Sequence, residues 1–288
     1  MASGIIIQSL SGFYDVLSQG ETYRCKGRGV FRNKKITPLV GDKVEFDPEE
    51  GYLLSVNHRT NELLRPPVAN IDQAMIVISA VAPDFNSRLL DRFLVLVESK
   101  LIDPVIVISK QDQVLRAAEV EEYQGVYEKA GYRVIMSEPG DEAAFTSVKD
   151  LFRDKTTVIA GQSGVGKSTL LNAIHPALSL ETGEISKSLG RGKHTTRHVQ
   201  LFSINGGLVA DTPGFSSLDF DSVSSEALGE CFPEIREQTP YCKFRGCLHD
   251  KEPKCAVKAA VENDEISKER YEHYIEFLHE IQNRKPRY

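Results

Sequence analysis

Thr156-Thr157-Val158-Ile159-Ala160-Gly161-Gln162-Ser163-Gly164-Val165-Gly166-Lys167-Ser168-Thr169-Leu170-Leu171 is the stretch that decides the fold. A short apolar run of the buried-strand kind leads into GxxxxGKS, and a helix start follows directly. This context suits a phosphate-binding loop. Glycines let backbone N–H groups wrap phosphate oxygens, and the helix N-terminus adds the positive end of its dipole. Lys167 would then neutralise the outer phosphates and Ser168 would ligate magnesium.

The surrounding pattern agrees with an α/β layer domain. Ala74 to Ser79, Pro104 to Ser109, Tyr132 to Met136 and Thr156 to Ala160 are apolar runs that read as parallel strands. Leu89, Leu90, Phe93, Leu94, Leu96 and Val97 fall on one helical face, and helical patterns recur near 119–130 and 143–152. Val199 to Ile204 and Leu208 to Asp211 are joined by Asn205-Gly206-Gly207, a hairpin signal that sets Asp211 at a strand end.

Two further segments belong with the phosphate loop. Ser109-Lys110-Gln111-Asp112 follows an apolar strand, where the Asp112 carboxylate can accept from N1–H and the exocyclic amine of guanine. Adenine offers an acceptor at N1, and a mismatched buried acceptor can reject the wrong base by ~10⁴-fold. Lys110 would lie along the base plane. Asp211-Thr212-Pro213-Gly214 is a DxxG segment, with Asp211 reaching magnesium through water and the Gly214 amide sensing the gamma-phosphate. Phe215 follows, where many relatives carry a water-orienting Gln. Between the phosphate loop and Asp211, Gly190-Arg191-Gly192-Lys193-His194-Thr195-Thr196 offers a mobile first switch. Thr196 (or Thr195) is the candidate magnesium ligand, and His194 is the candidate for positioning water. An ordinary small GTPase runs phosphate loop, first switch, DxxG, base recognition. Here the base segment comes first, so the domain is circularly permuted.

Residues 1–68 predict short strands at Gly4 to Leu10, Phe13 to Leu17, Glu21 to Cys25, Lys43 to Phe46 and Gly51 to Val56, which suit a small OB-type barrel. The net charge of the whole chain is −6, yet Arg24 to Lys35 holds six basic residues and no acid. That run, with Phe31 inside it, is the candidate contact for RNA phosphates. Arg65-Pro66-Pro67 forces extension and marks a boundary near residue 68.

Beyond Gly214, Ser224 to Cys231 reads as a short helix. Glu265 to Gln282 reads as a longer one, with Tyr271, Tyr274, Ile275, Leu278 and Ile281 on its apolar face. Between them lies Cys242-x4-Cys247-x-His249-x5-Cys255. Three thiolates and an imidazole make a closed tetrahedral set for one structural zinc ion, whereas Cys25 and Cys231 read as incidental thiols. No apolar run approaches the ~18 residues of a membrane span, and the N-terminus lacks a signal-peptide pattern. The expectation is a cytoplasmic chain without a membrane partner.

Taken together, the permuted order, GQSGVGKST, the GRGKHTT loop, DTPGF and the Cys, Cys, His, Cys set resemble ribosome small-subunit-dependent GTPase A, the RsgA or YjeQ family. The resemblance covers the whole chain. It implies an OB-fold domain at 1–68, a permuted GTPase domain at 69–220 and a zinc-binding helical domain at 221–288. It also implies binding to the small ribosomal subunit and its rRNA late in maturation, GTP hydrolysis stimulated there, and a first-switch histidine, matching His194. A hydrophobic residue replaces the catalytic Gln, matching Phe215. Ser109 stands where the family usually has Asn, which implies weaker nucleotide binding. The expected protein is a monomeric GTPase using GTP, magnesium and zinc. Two rivals are a nucleotide-gated RNA-binding module with incidental hydrolysis, and an ATPase that has lost guanine reading through Ser109.

Overall fold

The structure is a computed structural model and describes residues 1–33, 35–64, 66–114, 117–178, 199–211 and 219–284. Along the chain come β1 (Ala2–Leu10), β2 (Phe13–Ser18), β3 (Glu21–Lys26), α1 (Gly29–Asn33), β4 (Lys43–Asp47) and β5 (Tyr52–Val56). Their neighbours run β1-β2-β3-β5-β4, and β4 pairs back onto β1 from Ala2↔Phe46 to Ile5↔Lys43, so five strands close into a barrel. Inward positions alternate along the strands, and Ile6, Val16, Cys25, Val44, Phe46 and Leu53 fill the interior. A register shift between Ile6 and Gln8 bends β1. Beyond it, Gln8 pairs with Gln200.

The prolines expected to end this region instead take part in a hairpin. β6 (Glu62–Leu64) pairs antiparallel with β7 (Pro67–Ala69). Pro67 is tolerated because it opens its strand. The segment is fastened by buried polar groups. Arg59 grips the fully buried Asp42 with two bonds of 2.8 and 2.9 Å, and Asn70 spans Thr60 N and Gly41 O, each at 3.0 Å.

The α/β elements follow as β8 (Gln73–Ser79), α2 (Ser87–Glu98), β9 (Asp103–Ser109), α3 (Ala117–Lys129), β10 (Arg133–Ser137), α4 (Glu142–Leu151), β11 (Thr156–Ala160), α5 (Lys167–Ile174), β12 (Gln200–Ile204) and β13 (Gly207–Asp211). Each predicted strand forms within one or two residues. Every residue of β8 and β11 is buried, which is why these strands read as continuous apolar runs. After Phe220 the chain is helical: α6 (Ser225–Leu228), α7 (Pro233–Gln238), α8 (Ala256–Glu262) and α9 (Lys268–Gln282).

Contacts divide the chain into two compact units, Met1–Val77 with Gly140–Ser217, and Ile78–Pro139 with Leu218–Tyr288. In the first, β11 pairs in parallel with β8 and with β13, while β12 pairs antiparallel with β13 and carries β1 on its other edge. In the second, β9 and β10 pair in parallel. Here Val95 of α2 shares a core with Phe232, Ile235, Tyr274, Phe277 and Leu278. The C-terminal helices and α2 therefore lie in one body. Among the described residues no helix is long and apolar enough to cross a membrane.

Candidate functional site

The loop between β11 and α5 adopts a conformation that its glycines alone permit. Gly161 has φ +140°, and a Cβ there would stand 2.1 Å from the Val77 carbonyl oxygen. Gly164 and Gly166 are left-handed, at φ 81° and 94°. Val165 is buried and anchors the loop, leaving Gln162, Ser163 and Gly164 at the surface. Lys167 folds back over the turn, its Nζ donating to the carbonyls of Gly161 at 2.8 Å and Gln162 at 2.6 Å. Ser168 and Thr169 occupy the first turn of α5, whose Leu170, Leu171 and Ile174 are buried. The result is a cluster of backbone donors at a helix N-terminus with an ammonium beside it, an anion cradle.

The hairpin expected from Asn205-Gly206-Gly207 forms with a two-residue turn. Asn205 and Gly206 have φ 52° and 80°, the primed geometry that matches strand twist. Gly207 joins β13, and Asp211 is its last residue. His194, Thr195 and Thr196 lie outside the described residues, as do Gly214, Phe215 and Lys34. The phosphate loop and Asp211 belong to the first unit. The base segment and the cysteine cluster belong to the second.

Ser109 closes β9 and is buried, with Oγ donating to the Ile78 carbonyl at 3.2 Å and its own carbonyl accepting from Ala80 N at 2.9 Å. Lys110 is left-handed at φ 61°, and its ammonium donates to the Ala82 carbonyl. Gln111 opens a 3-10 turn over Gln111–Gln113 that presents Asp112 to solvent. One neighbour went unnoticed in the sequence. Ser137 ends β10, in register with Ser109 and equally buried. The available signal was the same as for Ser109, an apolar run closing on a serine.

Among the described residues one set of metal-ligand side chains converges: the ligand atoms of Cys242, Cys247, His249 and Cys255 lie within 4.8 Å of one another. Cys242 Sγ is 3.8 Å from Cys255 Sγ, and His249 Nδ1 is 3.6 Å and 3.3 Å from those sulfurs. Tetrahedral zinc bonds of about 2.3 Å to sulfur and 2.0–2.1 Å to nitrogen imply edges of about 3.8 Å between sulfurs and 3.5 Å between sulfur and nitrogen. The four residues therefore fit zinc. Burial pushes the Cys247 thiol up to about 12, raises that of Cys255 and lowers the His249 imidazole. These shifts disfavour thiolates without a neighbouring cation. Thr239 completes the arrangement. Its hydroxyl donates to the Ile235 carbonyl at 2.8 Å and stands 3.2 Å from His249 Nε2. With its proton committed to Ile235, the oxygen is left to accept from Nε2–H, which frees Nδ1 as a ligand.

Comparison with known proteins agrees with this geometry. A family model described as the RsgA GTPase matches residues 56–221, and one described as the RsgA N-terminal domain matches 3–53. Proteins named small ribosomal subunit biogenesis GTPase RsgA 2 from Oceanobacillus iheyensis and RsgA from Bacillus subtilis are 59% and 56% identical, over the full length of both chains in each case. The crystal structure of YloQ, a circularly permuted GTPase, superposes with TM-score 0.86 at 51% identity, covering 100% of this chain and 97% of that one. YjeQ from Thermotoga maritima superposes with TM-score 0.87 at 35% identity, covering 99% of each chain. A five-stranded barrel, a permuted phosphate-loop domain and a Cys3His helical region match along their whole length, and the chain belongs to the RsgA family of GTPases.

Proposed function

We propose that this chain acts in biogenesis of the small ribosomal subunit, docking on the subunit and its rRNA and hydrolysing GTP to GDP and phosphate there. The anion cradle at Gly161–Thr169 carries this reading, together with full-length identity to relatives whose names state that role.

Catalysis of phosphoryl transfer is mainly positioning and charge neutralisation. In the proposed site the backbone N–H groups of 161–169 and the Lys167 ammonium hold the phosphates. Lys167 then exchanges the Gly161 and Gln162 carbonyls for phosphate oxygens. Magnesium, held by Ser168 and Thr196 (or Thr195) with Asp211 through water, would supply further charge neutralisation when bound. Gly214 senses the gamma-phosphate. Ser109-Lys110-Gln111-Asp112 selects guanine, and the exposed Asp112 is free of competing burial cost before the base arrives. Phe215 has no group that could orient water, so that task is assigned to His194, which becomes effective on the subunit. Zinc on Cys242, Cys247, His249 and Cys255 would supply structural cross-linking of the C-terminal region. The functional division is into barrel (1–68), GTPase (69–220) and zinc-binding region (221–288), in a cytoplasmic monomer.

The test is GTP turnover by the full chain with and without isolated small subunits. We expect strong stimulation by the subunits and its loss in His194→Ala. Equal turnover with and without subunits would remove the ribosomal role. Stimulation that survives His194→Ala would instead remove that residue's assignment.

A further inference from the structure

We infer that Arg270 is a positioning residue that couples the cysteine and histidine centre to the base-recognition segment, so that metal retention and guanine-nucleotide affinity strengthen together. The inference rests on the proposed reading of Ser109–Asp112 as the base site and of the Cys3His cluster as a zinc centre.

Arg270 lies in the charged first turn of α9, yet it is 1% exposed. Its Nε and Nη2 donate to Glu234 at 2.5 and 3.1 Å, and Nη1 donates to Asp91 of α2, which is itself fully buried. The guanidinium faces three rings, Tyr127, Tyr132 and Phe232, at 5.1, 5.3 and 5.1 Å. Removing one partner of such a buried group strands a charge, so the set holds one arrangement of α2, α3, α7 and α9.

Two arms leave this centre. Towards the metal, Tyr271 donates to the His249 carbonyl at 2.6 Å and Tyr274 to the Leu248 carbonyl at 2.8 Å, so α9 holds the backbone that carries two ligands. Towards the base segment, Tyr127 donates to the Ser87 carbonyl at 3.2 Å, and the Ser87 hydroxyl donates to Glu269 at 2.5 Å. Ser87 opens α2 just after the loop whose Ala82 carbonyl receives the Lys110 ammonium. Tyr132 leads into β10, whose last residue pairs in register with Ser109. A shift of α9 on metal loss is therefore passed to both sides of the base segment. Linkage requires the reverse effect as well, with bound nucleotide holding the metal more tightly.

The experiment uses the full zinc-loaded chain and follows zinc transfer to a chromogenic chelator, with and without saturating GDP. We expect GDP to tighten zinc retention against the chelator at equilibrium by about fivefold or more, a typical coupling between linked sites, and ADP to have no effect. The variant carrying Asp91→Asn, Glu234→Gln and Arg270→Met removes the charges together, which avoids a stranded ion. We expect it to keep zinc and helix content, to bind GDP about tenfold more weakly, and to yield zinc to the chelator to the same extent with and without GDP. Equal release from the native chain with and without GDP overturns the coupling, as does a variant that keeps the native GDP effect. If the variant does not fold, the native measurement decides. A native chain that holds no zinc, or that binds GDP no better than ADP, overturns the inference at its premises and is read directly from metal content and nucleotide competition.

Discussion

Thr239 sets which nitrogen of His249 faces the thiols, through one hydroxyl placed between the Ile235 carbonyl and Nε2. Partners of this kind typically account for ten- to a hundredfold in metal affinity. Thr239→Val keeps the side-chain volume and loses the oxygen, so we expect zinc affinity to fall by about that factor in chelator competition while the four ligands stay in place. The four ligands were legible in the sequence because cysteine and histidine are rare and closely spaced here. Thr239 was not, since a threonine ten residues before a histidine has no pattern. Arg270 and Asp91 were hidden for a different reason: charged residues in an amphipathic helix normally mark the wet face, and only the folded arrangement shows each as the other's partner.

At the scale of elements, α2 and α9 form an electrostatic seam. Arg88 pairs with Glu276 and Arg92 with Glu280, and the Arg92 guanidinium lies 4.2 Å from the centre of the Phe220 ring. The bonds from these arginines hold both glutamates below the usual carboxylate range. A depressed carboxylate contributes stability that is present above its unfolded value, here near 4.5, and is lost as pH falls through the folded value. Both glutamates are about half exposed, which keeps each contribution small. The midpoint of thermal unfolding should fall as pH drops below about 4.5, and Glu276→Gln with Glu280→Gln should flatten that dependence. A native profile already flat across this window would show that the seam adds nothing. β8 and β11, the strand that leads into the phosphate loop, were legible almost to the residue, because each is fully buried along its length. The β6–β7 hairpin was missed. Two consecutive prolines read as a break, whereas here Pro67 opens a strand fastened by Asn61, Asn70 and Arg59.

For the whole molecule, the barrel supplies the surface proposed to meet RNA. Its basic run is not uniform in the fold. Arg24 is matched by Asp15 through bonds of 2.8 and 3.0 Å, whereas Lys26 stands over Phe13 at 5.4 Å and Arg28 over Tyr52 at 6.0 Å. Cations beside the exposed Phe13 ring and the half-buried Tyr52 ring suit a surface that meets both phosphates and bases. Lys26→Ala with Arg28→Ala should therefore weaken binding to isolated small subunits and lower the slope of log affinity against log salt by about 1.5, with Arg24→Ala giving a smaller change. An unchanged slope in the double variant would place the RNA contact elsewhere. Composition alone could not sort these residues, because pairing with Asp15 depends on the register of β2 against β3.

The position of β8 also governs the order in which the protein can be built. Its partner β11 follows far along the chain, with Gln73 and Thr157 in hydrogen-bonded contact 84 residues apart. The five barrel strands are contiguous, so the barrel can close as soon as its own residues leave the exit tunnel. β9 reaches one edge of β8 directly after α2, but the β11 edge, on which Met75 and Ile76 pair in the finished protein, stays open through the synthesis of α2, β9, α3, β10 and α4. Long-range parallel pairing of this kind is slow and leaves apolar strand exposed in the interim. The order of the elements thus leaves one apolar strand edge of the nascent chain open during the very translation its mature form is proposed to sustain.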